Sequence, residues 1–108
     1  MPEAPSDLYL KLLGETARIS WHELQPFFAR GALLRVAAGL DLIEVAAAFA
    51  ANDQARVAVW LENDGLAKLP PDQAQQWHEQ EPQLWAVVVA PWVLAQEHNV
   101  GESSNSYT

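Results

Sequence analysis

Apolar positions along the chain fall into short blocks whose period alternates between helical and extended. Leu8, Leu12 and Ile19, with Tyr9 and Leu13 beside them, share one side of a helix that Ser6 or Asp7 caps. Gly14 weakens this helix by up to about 1 kcal/mol relative to alanine. Ser20-Trp-His-Glu23 has capping-box spacing, with the serine reaching the third backbone N–H and the glutamate returning to the cap. The helix it opens runs to about Arg30, burying Leu24, Phe27 and Phe28, and stops at Gly31. Pro26 lies inside that segment, where it removes one hydrogen bond at a cost of about 3 kcal/mol; a kink or a late start is expected.

Ala32–Val36 is short, apolar and flanked by glycines, and reads as a strand. Ala38-Gly39 turns the chain, Asp41 caps, and Leu42, Val45, Ala46 and Phe49 line one face of a helix reaching Ala51. Asn52-Asp53 stops that helix and caps another, in which Val57, Trp60 and Leu61 fall at the i, i+3, i+4 spacing before Asp64-Gly65 ends it. Leu66–Leu69 is a short strand candidate, and Pro70-Pro71-Asp72 opens a polar helix to about Gln80 with Ala74 and Trp77 on its apolar side. Leu84–Ala90 is continuous and β-branched, as in a strand covered on both faces. Pro91 implies an edge or a bulge, with Trp92–Ala95 resuming the extended path.

The order helix, helix, strand, helix, helix, strand, helix, strand predicts one small α+β domain over residues 7–98. Residues 1–6 read as a flexible lead and 99–108 as a disordered tail. Two helices meeting at Ala51-Asn-Asp53, then a glycine and a strand, are the ingredients of a helix-turn-helix with a wing. By that analogy the domain is winged-helix-like, with the helix at 71–80 sitting inside the wing.

Composition agrees with one packed domain: 108 residues, half of them apolar and 19% charged. With no cysteine, disulfide scaffolds, thiolate zinc sites and cysteine nucleophiles are excluded. The N-terminal Met1–Asp7 lacks a basic start and an apolar stretch, and the longest apolar run, Leu84–Ala95, falls short of the roughly twenty residues that span a bilayer. A soluble, cytoplasmic protein is expected, without a membrane partner.

Charge narrows the partners. The formal net charge is −8, and residues 69–108 contain five acids and no lysine or arginine. The second helix of the supposed helix-turn-helix carries Asp53, Arg56, Glu62 and Asp64, a net −2 that repels phosphate. Nucleic acid is therefore disfavoured, and a winged-helix DNA binder ranks third among the functional readings.

Reactive groups do not gather in the sequence. His22, His78 and His98 each adjoin a glutamate, but neighbours along a helix do not face each other, and no His-x₃-His pair exists. Gly-x-Ser-x-Gly and a phosphate-cradling glycine loop are missing as well. No catalytic residue, metal ligand or cofactor is assigned. Five tryptophans are the unusual feature, and most should be core. Trp85, Pro91 and Trp92 are the interface candidates, because an apolar strand edge invites pairing. The leading reading is thus a non-enzymatic interaction domain with a protein partner, self-associating through the C-terminal strand. The alternative is a small-molecule-binding or enzymatic protein, with Arg30, Arg35 or a histidine anchoring a ligand in an aromatic pocket lined by Trp60.

Lys11–Trp21, Leu40–Ala46 and Trp85–Gln96 together resemble a bacterial family catalogued as domain of unknown function 2288, over about residues 7–97. The ending Pro91-Trp-Val-Leu-Ala-Gln96 is the most specific part. The resemblance implies a small bacterial protein without an assigned activity, so no catalytic residues carry over.

Overall fold

The computed structural model describes residues 7–97, which form α1 (Asp7–Glu15), β1 (Ala17–Ile19), α2 (Trp21–Ala29), β2 (Leu33–Val36), α3 (Leu42–Ala50), α4 (Gln54–Glu62), β3 (Leu66–Lys68), α5 (Pro71–Gln80), β4 (Leu84–Val89) and β5 (Trp92–Glu97). The strands make one sheet in the order β1-β4-β5-β2-β3. Its pairs are antiparallel except β2 with β5, which run parallel. Alternating side chains along each strand feed two cores. Leu34, Val36, Val87, Val89 and Leu94 meet Leu12 of α1 and Leu42, Ile43, Val45 and Ala46 of α3. On the other face Leu33, Leu84, Ala86, Val93 and Ala95 meet Trp21 and Leu24 of α2 and Ala74 and Trp77 of α5. Helices on both faces bury Leu84, Ala86, Val87 and Val89 of β4, but the expected cover on both faces is incomplete, since Val88 is 60% exposed.

Helix ends are settled by local chemistry. Gly31, at φ 74°, donates its N–H to Phe28 O while Ala32 N–H reaches Phe27 O, a Schellman stop for α2. Asn52 (φ 58°) and Asp64 (φ 66°) take the same left-handed position after α3 and α4, with Asp53 N–H on Ala48 O and Gly65 N–H on Trp60 O. Asp53 then caps α4 through Arg56 N–H, so the tight α3–α4 turn is written in two adjacent polar residues. Ser20 caps α2 as expected, but its hydroxyl donates to Glu23 Oε2 in addition to accepting Glu23 N–H.

Asp41 holds the start of α3. One carboxylate oxygen accepts from Ile43 N–H at 2.9 Å and Glu44 N–H at 3.4 Å, and the other accepts from the Tyr9 hydroxyl of α1 at 2.9 Å. Asp41→Ala is expected to cost about 1–2 kcal/mol in urea denaturation, the usual loss of a strong N-cap. The hydrogen bond to Asp41, then burial and the carboxylates of Asp41 and Glu44, raise the Tyr9 pKa above its ordinary value. A raised folded pKa contributes stability below the unfolded value near 10, lost as pH rises through the folded value. Between pH 9 and 11, stability should therefore fall more steeply in the native chain than in Tyr9→Phe; equal slopes would show that the phenol is unlinked.

Several sequence expectations are corrected. Ile19 does not continue α1 but lies in β1, where it packs against the core of α2 and α5. α2 starts directly after Ser20 and runs through Pro26, so there is no late start. Pro91 marks neither a bulge nor an edge: the Ala90–Pro91 peptide is cis and these two residues turn β4 back on β5, with Val89 opposite Trp92. β5 lies between β4 and β2, so the C-terminal strand has no free edge through which to self-associate. The α+β class and the helix pair stand, but the wing expected from residues 66–69 and 84–90 does not form, because β3 pairs with β2. The lead at 1–6, residue 98 and the tail at 99–108 lie outside the described residues.

Candidate functional site

α4 is the anomaly of the fold. Six of its nine residues (Gln-Ala-Arg-Val-Ala-Val-Trp-Leu-Glu) are apolar, yet none is buried. Val59 is 56% and Leu61 52% exposed, while Val57 and Trp60 are half-buried against the core of α1 and α3. A helix apolar on more than its core-facing side normally has a second layer over it. Beside it Ala48 and Phe49 of α3, Val57, Ala58 and Leu61 of α4 and Trp92 of the hairpin line an open groove of about 380 Å³. Asn52, Asp53 and Gln54 form its polar lip. The groove lies where α3 and α4 meet the start of β5, with the β4–β5 turn placing Trp92 beside α4.

Of the interface candidates, Trp92 is in this groove and Pro91 is exposed at the adjoining turn. Trp85 lies elsewhere, half-buried under the Arg18 guanidinium at 5.7 Å, and lines a separate hollow with Leu13, Leu40 and Gln96. The pocket candidates do not converge. Arg30 stacks on Phe27 at 4.8 Å. Trp60 packs against the α1–α3 core with Arg56 over its ring at 5.1 Å. Arg35, on β2, spends its guanidinium on Asp64, donating to the carbonyl at 2.9 Å and pairing with the carboxylate at 3.5 Å. The exposed Val59 and Leu61 were missed because helical spacing marked Leu61 as core and could not show that no layer covers α4.

One convergence also escaped sequence reasoning. His22 of α2 and His78 of α5, 56 residues apart in sequence, line the same cleft of about 290 Å³ with Ser20, Gln25 and Glu81. Both imidazoles are exposed, and the Ser20 hydroxyl is engaged by Glu23. Among the described residues no three His, Cys, Asp or Glu side chains are placed to hold a metal ion. Nor is any described helix long and apolar enough to cross a membrane.

Comparison with known proteins gives relatives but no activity. No curated protein matches the chain. The NMR solution structure of PA1075 from Pseudomonas aeruginosa is similar, with 62% sequence identity, 91% of each chain covered and a TM-score of 0.75. The family model described as "Protein of unknown function (DUF2288)" matches residues 7–97, the same span that the two-core sheet occupies. The chain belongs to that family.

Proposed function

We propose that this chain is a non-enzymatic protein-interaction domain, with α4 and the groove beside Trp92 as its contact surface. The observation that carries the reading is an apolar helix with no buried residue. Apolar surface of this kind is stabilised by a covering partner, and a half-exposed tryptophan at its margin is a typical anchor. The acids Asp53, Glu62 and Asp64 around α4 argue for a protein over nucleic acid, since they repel phosphate from the face a recognition helix would use. A small-molecule reading has less behind it, because Arg30, Arg35 and Trp60 point to separate neighbours. The reading places this domain in a bacterial cytoplasm, and no described helix is long and apolar enough to cross a membrane.

Site-directed photo-crosslinking tests the reading. Benzoylphenylalanine placed at Leu61, and separately at Gln75 on the exposed side of α5, reports what touches each face in living cells. A discrete higher-mass adduct from position 61 and none from position 75 is expected. Equal background at both positions would remove α4 as a contact surface.

A further inference from the structure

The first turn of α2 and the last turn of α5 border one cleft, the hollow of about 290 Å³ that holds His22 and His78. Two helix dipoles therefore present opposite ends to the same small space. On the α2 side the Ser20 hydroxyl accepts Glu23 N–H, and the first-turn N–H groups of Trp21 and His22 have no helical acceptor. Trp21 adds a further donor. It is 7% exposed and lines the cleft, yet its indole Nε1 is buried and finds no acceptor among the described residues. The α5 side is the reverse. Helical spacing would pair the His78 carbonyl with the N–H of residue 82, but Pro82 has none to give. The Glu81 carboxylate lines the cleft at the same end, and among the described residues no lysine or arginine does.

We propose that this cleft binds a free α-amino acid with an apolar side chain. The ligand carboxylate meets the start of α2 and the Trp21 indole, and the ligand ammonium meets Glu81 and the carbonyl end of α5. A net anion is opposed by Glu81 and a net cation by the positive end of α2, whereas a zwitterion satisfies both. A neutral imidazole carries one donor and one acceptor nitrogen, so His22 and His78 suit either group. The cleft is close to the lower size of small-molecule sites, about 300 Å³, as a ligand this small requires. Side-chain preference comes from the adjoining groove between α2 and α5, which shares Trp21, Gln25 and His78 with the cleft. Beyond them it continues over Phe28, Pro71 and Ala74, with the Trp21 and Phe28 ring centroids 5.6 Å apart. The site uses none of Arg30, Arg35 or Trp60. It lies on the face of the sheet opposite α3 and stands independently of the α4 surface.

Titrating the isotope-labelled full chain with L-leucine, and separately with L-phenylalanine, to about 10 mM under NMR observation tests the site. The indole N–H of Trp21 and the backbone amides of His22 and Glu81 should shift together, with a dissociation constant between about 10 µM and about 1 mM. The amide of either compound lacks the carboxylate, and the deaminated acid lacks the ammonium. Each analogue should bind at least about tenfold more weakly than its parent. Glu81→Gln keeps the side chain's size and removes its charge at an exposed position. It should weaken the amino acid about tenfold and leave the deaminated acid no weaker, since the repelling carboxylate is gone. No shift of the Trp21 indole with either amino acid overturns the site. Equal binding of an amino acid and its deaminated acid, or native affinity in Glu81→Gln, overturns the zwitterion assignment. The adduct from position 61 reads the α4 surface separately, so either result stands without the other.

Discussion

Trp77→Ala should destabilise the fold by about 3–5 kcal/mol, read from the urea midpoint at constant slope. Trp77 is only 1% exposed and is the largest fully buried side chain. It stands on α5 and meets Trp21 of α2 edge-on at 6.1 Å, so it joins the two helices to each other as well as to Leu84 and Val93 of the sheet. α5 is otherwise polar, with Ala74 its one other buried residue. Removing the indole leaves a cavity that alanine cannot fill, under a helix with little else to hold it down. The ring also carries a cost. Its Nε1 is buried and finds no acceptor among the described residues, and such a group forfeits about 1–3 kcal/mol. Trp77→Phe removes that donor along with some volume, so it should cost about 1–2 kcal/mol, far less than alanine. A loss below about 1 kcal/mol for Trp77→Ala would mean that α5 is held by something other than this ring.

α5 is also where the sequence is most legible, and the reason is local. Pro70-Pro71-Asp72 sets a start that needs no tertiary partner, and the helix spans Pro71–Gln80 as its pattern predicts. β4 is similarly readable from its unbroken apolar run, although Val88 within it stays exposed, and β2 is apolar but for the half-buried Arg35. β1 is not readable. Ala17-Arg-Ile19 has no strand signal of its own, and its conformation comes from pairing with Leu84–Ala86, more than sixty residues later. The same holds for the parallel pairing of β2 with β5, which no local pattern announces and which turns a supposed edge into a central strand. At α4 the helix and its caps are legible in Asp53 and Asp64-Gly65, and Val57 and Trp60 face inward as their spacing implies. The exposure of Leu61 depends on what fails to stack above it, which lies in the packing of other elements.

Gln96→Leu is expected to cost about 2–3 kcal/mol through the loss of two hydrogen bonds whose acceptors stay in place. The Gln96 amide donates to Ala37 O at 2.8 Å and to Leu40 O at 2.7 Å. Those carbonyls belong to the turn between β2 and α3, where Leu40 N–H also bonds Ala37 O and Ala37 N–H bonds Gly65 O. One side chain on β5 thereby fixes the loop that presents Asp41 as the cap of α3 and as the acceptor for Tyr9. Leucine fills the volume but leaves both carbonyls without that donor. The amides of Ile43 and Glu44, which Asp41 holds, should then exchange with solvent faster than in the native chain, while those of α5 should keep their relative protection. Gln96→Glu separates packing from hydrogen bonding. At neutral pH its carboxylate is acceptor-only and sits against two carbonyl oxygens, so it should be worse than leucine. Below about pH 5 the protonated acid can donate one bond, and part of the stability should return relative to Gln96→Leu at the same pH. If Gln96→Glu matches native stability at neutral pH, the amide protons do not hold this turn.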